Sequence, residues 1–202
     1  MAVIEFWFEF ASTYSYPAAC EIEEAARAQG HTVAWRAFLL APIFAAQGWK
    51  DSPFNIYPAK GAYMWRDMAR ICAERGLPLK KPSQFPRNGL LAARIACHFQ
   101  HEAWVPEFVR RVYVANFAED LDIASPFVIG ELLAQMDLTA ADILRAAQSD
   151  ESKEGLRAQT DAAIKLGLFG APSFVVDGEI FWGGDRLDAA LNWADGKRLL
   201  KT

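Results

Sequence analysis

The feature that most constrains the fold is a strand-like segment near each end of the chain, with a long helical stretch between them. Val3 to Phe10 alternates and is rich in aromatic and β-branched residues, which predicts a strand. A helix that begins at Tyr16-Pro17 and continues to Gln29, ended by Gly30, leads to a second strand from Thr32 to Phe38. Two strands joined by a helix within about 36 residues predict a βαβ unit with parallel strands and a right-handed crossover.

The C-terminal part returns to β structure. Ser173 to Trp182 holds two apolar runs around Asp177-Gly178, a strong signal for a two-residue hairpin, and a last helix from Leu187 to Trp193 follows. The middle of the chain shows helical patterns and no convincing strand. This order is the thioredoxin connectivity, so we predict an α/β, thioredoxin-like fold with a large all-helical insertion. Residues 1–38 and 166–202 form the thioredoxin-like domain in this prediction, and residues 39–165 form the inserted helical domain.

Composition and charge exclude several classes of function. The 202 residues carry a net charge of −4 with both signs interspersed, so no basic stripe predicts a nucleic-acid partner. No apolar run approaches the roughly 18 residues that span a bilayer. The N-terminus has no features of a signal peptide, so we expect a cytoplasmic protein. Three widely spaced cysteines form no CxxC pair, and we predict neither a disulfide framework nor a metal site.

Ser12 is the first candidate site residue, because it lies where the first strand turns into the first helix. The N-terminus of a helix presents unpaired N–H groups and the positive end of a dipole, which favours an anion such as a thiolate. A serine cannot exchange disulfides, but its hydroxyl can donate a hydrogen bond to a thiolate that arrives with a ligand. The alternative is that Ser12 or Ser15 only caps the helix.

Two further candidate sites lie around the C-terminal hairpin. If the Ala171-Pro172 bond is cis, it turns the backbone of Ala171 outward to pair with a peptide-like ligand; the alternative is a trans turn proline. Gly183-Gly184-Asp185-Arg186 allows close approach of a ligand at the start of the last helix, where Asp185 can meet an ammonium group or act as the N-cap.

Two loops in the helical middle contain aromatic and cationic residues. Trp49 to Gly61 combines aromatic residues, prolines and two lysines, which suits either an aromatic slot for an anionic substrate or packing between lobes. Phe85-Pro86-Arg87-Asn88-Gly89 is similar, since its polar residues can contact a ligand or stabilise a turn.

Four segments in this order resemble the 2-hydroxychromene-2-carboxylate isomerase family, which is related to kappa-class glutathione transferases and more distantly to DsbA-like oxidoreductases. The segments are FWFEFASTYSYPA (6–18), YPAKGAYMWRDM (57–68), FPRNGLLAARIA (85–96) and GLFGAPSFVVDGEIFWGGDRL (167–187). The resemblance covers essentially the whole chain. It implies a thioredoxin-like domain with an inserted helical domain, glutathione as the cofactor, and a homodimer.

The resemblance also implies roles for particular residues. In this family a serine at the position of Ser12 faces the sulfur of glutathione and holds it as a thiolate. The residue at the position of Ala171 pairs with the glutathione backbone beside a cis-proline, here Pro172. The other glutathione contacts that it implies are Lys60, Trp182, Gly183, Gly184, Asp185 and Arg186. On the substrate side we assign Ala45, Asn55, Phe85 and Arg87.

The chain departs from the family pattern on the substrate side. Isomerases of the naphthalene pathway carry a substrate-contacting lysine after an Ile/Val-Phe pair, and here Ala45 stands at that position. Phe85 lies near where a substrate-contacting tyrosine is expected. The glutathione half of the site is complete, so the departures concern the identity of the substrate.

The resulting hypothesis is a glutathione-dependent isomerase that acts by reversible thiolate addition to an aromatic enone acid, with Ser12 holding the thiolate and Lys60 or Arg87 holding the substrate carboxylate. One alternative is a kappa-like glutathione transferase that conjugates electrophiles. Another is a non-catalytic thiol-binding module, which binds glutathione without lowering the pKa of its thiol. The absence of CxxC disfavours a dithiol oxidoreductase.

Overall fold

The computed structural model describes residues 1–196 of the chain. The strands are β1 (Val3–Phe8), β2 (Thr32–Ala37), β3 (Ser173–Val176) and β4 (Glu179–Trp182). The helices are α1 (Ser15–Ala28), α2 (Leu40–Ala46), α3 (Pro53–Ile56), α4 (Pro58–Glu74), α5 (Leu90–His98), α6 (Val105–Phe117), α7 (Pro126–Ala134), α8 (Ala140–Ala146), α9 (Asp150–Leu166) and α10 (Leu187–Ala194). The final residues of the predicted thioredoxin-like domain, 197–202, lie outside the described residues.

The four strands form one mixed sheet in the order β2-β1-β3-β4. Strand β1 pairs in parallel with β2 and antiparallel with β3, and β3 pairs antiparallel with β4. Asp177 and Gly178 join β3 to β4 with φ angles of 51° and 82°, which is the backbone of a type I′ hairpin turn. The predicted α/β, thioredoxin-like fold is therefore confirmed, with α2 to α9 inserted between β2 and β3.

The two faces of β1 are covered by different helices, because alternate side chains of a strand point to opposite faces. Phe6 and Phe8 pack in the main apolar cluster, which also contains residues of α1 and α6. Trp7 points to the other face and packs against Phe38 and Ala163 in a smaller cluster. Since α6 shares a core with the sheet, the insertion is packed directly on the thioredoxin-like part, and the division into two domains stays a prediction.

Several boundaries differ by a few residues from those that the sequence predicts, and two of them concern segments that carry candidate site residues. Strand β1 ends at Phe8 instead of Phe10, because the N–H of Ser12 donates to the carbonyl of Glu9 at 3.0 Å and closes a turn there. Helix α4 begins at Pro58, inside the segment from Trp49 to Gly61 that the sequence predicts as a loop; the proline lies in the first turn, where a missing N–H costs no helical hydrogen bond. A β-carbon on Gly61 would lie 2.2 Å from the carbonyl oxygen of Phe54, so glycine allows α3 to pack closely on α4.

No helix within residues 1–196 is both long enough and apolar enough to cross a membrane.

Candidate active site

Ser12 lies in the turn between β1 and α1, and its side chain does not cap the helix. Tyr14 is the N-cap residue of α1, and no side chain makes a capping hydrogen bond there. The hydroxyl of Ser12 instead donates to the carbonyl oxygen of Ala171 at 2.8 Å. The serine is partly buried and precedes the first residue of α1 by three positions, close to the positive end of the helix dipole.

Helix α6 fixes the backbone just before Ser12. The hydroxyl of Tyr113 donates to the carbonyl oxygen of Glu9 at 2.9 Å, and the amide of Asn116 donates to the carbonyl oxygen of Phe10 at 3.2 Å. Both side chains are buried, so these bonds are shielded from water. The inserted helices therefore hold the turn from which Ser12 projects.

The bond between Ala171 and Pro172 is cis, which decides between the two alternatives that the sequence leaves open. No hydrogen-bond acceptor within residues 1–196 is paired with the N–H of Ala171. The carbonyl of Pro172 accepts from the N–H of Gly183 at 2.9 Å, which ties the cis-proline loop to the turn after β4.

The turn from Gly183 to Arg186 lies directly beside this loop. A β-carbon on Gly184 would lie 3.5 Å from the carbonyl oxygen of Tyr14 and 4.0 Å from Cγ of Pro172. Three segments that are distant in sequence thus meet at the start of α1: the Ser12 turn, the cis-proline loop and the Gly183 turn. Asp185 is exposed, forms an ion pair with Arg186 at 3.4 Å, and is not the N-cap of α10.

Trp182 forms an exposed aromatic pair with Phe169 next to the cis-proline loop. Their ring centroids are 4.7 Å apart, and 53% and 48% of their surfaces are exposed. The indole packs against Gly170, where a β-carbon would lie 2.3 Å from Nε1 of the tryptophan. Phe169 is not among the predicted site residues, although its position two residues before Ala171 is a usable signal.

Tyr14 connects the Ser12 turn to α3 and α4. Its hydroxyl donates to a carboxylate oxygen of Asp67 at 3.1 Å, and its ring centroid is 6.2 Å from that of Phe54. Burial, followed by the charge and hydrogen bond of Asp67, raises the pKa of Tyr14 well above its usual value. Lys60 precedes Asp67 by seven residues and shares its face of α4, about 10 Å along the axis.

The structure brings together two of the predicted substrate residues, Asn55 and Phe85. The amide of Asn55 donates to the carbonyl oxygen of Phe85 at 3.2 Å and to the carboxylate of Asp51. The ring of Phe85 packs edge-on against Trp65, with centroids 5.1 Å apart. Both residues lie beside the α3–α4 segment that Tyr14 contacts.

Arg87 lies inside the protein, with only 5% of its surface exposed. Its guanidinium donates to the side chain and carbonyl of Asn116 at 3.2 and 3.3 Å, to Ser83 at 3.1 Å, and to the carboxylate of Asp120. The backbone N–H of Ser83, followed by the guanidinium of Arg87, donates hydrogen bonds that hold the pKa of Asp120 well below its usual range. Because its donors are engaged internally, we do not retain Arg87 as a ligand for the substrate carboxylate.

Ala45 lies in α2, whereas Asn55 lies in α3 and Phe85 in the loop before α5. Ala45 is exposed near the end of α2, and no hydrogen bond within residues 1–196 joins α2 to the Ser12 turn.

A groove of about 770 Å³ lies on the side of the sheet that is covered by α9, and Ser12 is not part of its lining. Its lining includes Trp7, Arg36 and Gln159 but none of the predicted site residues.

The thiols of the chain are poorly suited to act as nucleophiles. Cys20, Cys72 and Cys97 are all free, and burial raises the pKa of each; that of Cys20 and Cys97 reaches about 11. A thiol with a raised pKa forms little thiolate at neutral pH. Within residues 1–196, no group of three or more potential ligands is arranged to hold a metal ion.

Glu9 is the titratable residue at this site that the sequence analysis missed. A carboxylate oxygen of Glu9 accepts from the N–H of Ala11 at 2.8 Å. Burial raises the pKa of Glu9 to about 7, although hydrogen bonds from the backbone of Ala11 and Ser12 lower it in part. A carboxylate three residues before Ser12, at the end of a buried strand, is the signal that identifies it.

The chain is similar in sequence to several known proteins. The sequence profile of the DSBA-like thioredoxin domain matches residues 3–192. A 2-hydroxychromene-2-carboxylate isomerase from Sphingobium xenophagum is 28% identical over 186 residues, which are 92% of this chain and 94% of that protein. Glutathione S-transferase kappa 1 from Homo sapiens is 26% identical over 156 residues, 69% of each chain.

A solved structure has the same architecture over nearly its whole length. The structure of a selenomethionine-labelled 2-hydroxychromene-2-carboxylate isomerase matches with a TM-score of 0.86 and 25% sequence identity, and the match covers 96% of this chain and 95% of that one. These similarities confirm the resemblance that the four sequence segments indicate.

Proposed function

This chain belongs to the DSBA-like thioredoxin family, and from that premise we propose that it is a glutathione-dependent isomerase of the 2-hydroxychromene-2-carboxylate type. The observation that carries the proposal is the hydrogen bond from Ser12 to Ala171, which joins the start of α1 to the cis-proline loop. Relatives named as isomerases and as kappa glutathione transferases support it. The raised pKa values of the chain's own cysteines support a thiol that comes from a ligand.

The residues at the start of α1 suit glutathione. The N–H and carbonyl of Ala171 pair with the backbone of its cysteinyl residue, as an added strand does. The hydroxyl of Ser12 then turns from the carbonyl of Ala171 to the sulfur, and the N-terminus of α1 stabilises the negative charge. Asp185 binds the ammonium of the γ-glutamyl group, and Trp182, Gly183, Gly184 and Arg186 form the surrounding surface.

The chemistry follows from a stabilised thiolate. Bound glutathione supplies a nucleophile that adds reversibly to the conjugated double bond of an aromatic enone acid, so that the adduct rotates about a single bond before the thiolate leaves. Lys60 holds the carboxylate of the substrate with its ammonium group. Asn55 and Phe85 line the substrate side near α3. At the position where the family has a substrate-contacting lysine, this chain has Ala45.

A kappa-like transferase is the second candidate, because Ala45 stands where the naphthalene-pathway isomerases have a substrate-contacting lysine. Both candidates need the same thiolate at Ser12 and differ in the fate of the adduct. An isomerase releases the thiol again, whereas a transferase releases a stable thioether.

One assay separates these candidates. The purified protein is mixed with 2-hydroxychromene-2-carboxylate, and conversion to the open-chain enone acid is followed by absorbance with and without glutathione. Catalysis that requires glutathione, consumes none of it and is lost in Ser12→Ala is the expected result. Consumption of glutathione with a model electrophile, and no isomerisation, supports the transferase. Binding of glutathione with neither reaction and no thiolate identifies a thiol-binding module and contradicts both enzymes.

The homodimer remains a proposal that rests on the family resemblance, and the cytoplasmic location also remains a proposal. Sedimentation velocity of the purified protein tests the dimer, and a fluorescent fusion in the source cell tests the location.

A further inference from the structure

Both the side-chain carboxylate and the backbone carbonyl of Glu9 accept hydrogen bonds from the turn that carries Ser12. Its carboxylate accepts from the N–H of Ala11 at 2.8 Å, and its backbone carbonyl accepts from the N–H of Ser12 at 3.0 Å. The same carbonyl accepts from the hydroxyl of Tyr113 at 2.9 Å. The side chain is partly buried, and its carboxyl group lies beside the backbone of Ala11, the residue before the serine that is proposed to bind the ligand's sulfur.

No cation within residues 1–196 forms an ion pair with Glu9, whereas Glu5 of β1 pairs with Arg36 at 3.8 Å. The titratable side chain that faces Glu9 from α6 is Tyr113, whose own pKa is raised by burial and by Glu9. Cys20 of α1 lies close enough to Tyr113 to interact with it electrostatically, and burial raises the pKa of the Cys20 thiol. Tyr113 is therefore uncharged near neutral pH, and burial, opposed in part by hydrogen bonds from the backbone of Ala11 and Ser12, brings the pKa of the Glu9 carboxyl to about 7.

A thiolate at Ser12 would place a second negative charge beside this carboxylate. Two like charges in a partly buried turn raise each other's pKa, and they titrate as a coupled pair. The N-terminus of one helix stabilises about half a unit of charge, which favours one anion over two. The arrangement therefore favours a single negative charge shared between the two groups.

We propose that the carboxylate of Glu9 accepts the proton that the glutathione thiol loses when it binds at Ser12. The S–H bond breaks with its electron pair left on sulfur, and an O–H bond forms on Glu9, directly or through one water molecule. The site carries one negative charge before and after the transfer. This inference rests on the proposed function, since it concerns the same thiolate.

Proton balance tests the transfer independently of catalysis. Glutathione binding to the full chain is measured by calorimetry in two buffers with different heats of ionisation, at pH 8 and pH 6, and the thiolate is measured by ultraviolet difference absorbance. At pH 8 the Glu9 carboxyl is ionised and free glutathione carries mostly its thiol, whose pKa is about 8.5. The wild type is expected to form thiolate at pH 8 with close to zero net proton release, and to release more protons at pH 6, where Glu9 is already protonated.

Glu9→Gln removes the acceptor and keeps an oxygen for the N–H of Ala11. It is expected to release about one proton per thiolate at pH 8. Glu5→Gln is the matched control and is expected to behave as the wild type. If Glu9→Gln does not fold, the pH profile of the wild type alone decides.

Release of about one proton per thiolate by the wild type at pH 8, or equal release by wild type and Glu9→Gln, would overturn the proposal and leave the isomerase intact. Absence of glutathione binding or of any thiolate would overturn the proposed function, and this inference with it.

Discussion

The hydroxyl of Ser12 donates a hydrogen bond of 2.8 Å to the carbonyl oxygen of Ala171, which is 159 residues further along the chain. In the proposed complex this carbonyl is needed by the ligand backbone and this hydroxyl by the ligand sulfur. The bond thus orients both groups before glutathione binds, and one rotation of the Ser12 side chain releases both at once.

Replacing Ser12 by alanine is expected to raise the pKa of the bound glutathione thiol by about 1–2 units. A hydrogen bond to a charged group stabilises it by about 1.5–3 kcal/mol, and one pKa unit corresponds to about 1.4 kcal/mol. The thiolate band in the ultraviolet, titrated against pH, measures the change. Ser125→Ala removes a hydroxyl that makes no capping bond at α7 and serves as control. An unchanged pKa in Ser12→Ala would contradict the role assigned to the serine.

Replacing Gly183 by alanine is expected to weaken glutathione binding about tenfold or more. Gly183 has a φ of 110°, and a β-carbon there would lie 2.5 Å from a carboxylate oxygen of Asp185. The substitution therefore strains the backbone and displaces the side chain proposed to bind the ammonium. Calorimetric titration measures the Kd. Gly155→Ala on α9, where a β-carbon meets nothing within 4 Å, should leave affinity unchanged; equal affinities for both variants would contradict the proposed turn.

Replacing Asn116 by alanine is expected to lower the free energy of unfolding by about 2–4 kcal/mol. The buried amide satisfies the carbonyl of Phe10 and accepts from Arg87, and each polar group left unpaired costs about 1–3 kcal/mol. Urea denaturation measures the loss. The exposed Gln148→Ala is the control and should change stability by less than about 0.5 kcal/mol. Equal stabilities for the two variants would show that this network carries little of the fold.

The raised pKa of Glu9 predicts a pH dependence of stability. Since the folded protein raises this pKa from 4.5 to about 7, folding favours the neutral carboxyl. Its contribution to stability is complete below about pH 4.5 and is lost as pH rises through 7. Relative to Glu9→Gln, the wild type should lose up to about 3 kcal/mol between pH 4.5 and 8, measured by urea midpoints. A constant difference between the two proteins across this range would contradict the assignment.

The sequence predicts the order of the elements well, because its strong signals are local. Asp177-Gly178 specifies the hairpin by its own backbone preference, and Gly30 ends α1 at a φ of 75°. The start of α4 is less predictable, because Gly61 looks like a loop residue until the carbonyl of Phe54 is seen against it. That contact depends on tertiary packing, which no short window of sequence contains.

The candidate site, like the fold, is predictable from the sequence only in part. Ser12, Ala171 and Asp185 stand in recognisable segments, and the structure brings these segments together. In the sequence Arg87 looks like a ligand contact, because its partner Asp120 lies 33 residues away and is not recognisable as such. Only the fold shows that the two side chains pair with each other. Glu9 looks like an ordinary solvated carboxylate, since its environment is set by the turn and by α6.

The bonds from Tyr113 and Asn116 to the carbonyls of Glu9 and Phe10 have a consequence for engineering. A shortened protein made by deleting the insertion and joining β2 to β3 would lose both donors and expose the aromatic residues beneath them. A minimal catalyst based on this scaffold must therefore retain α6, and a library that recombines insertions between relatives should keep a tyrosine and an asparagine at these two positions.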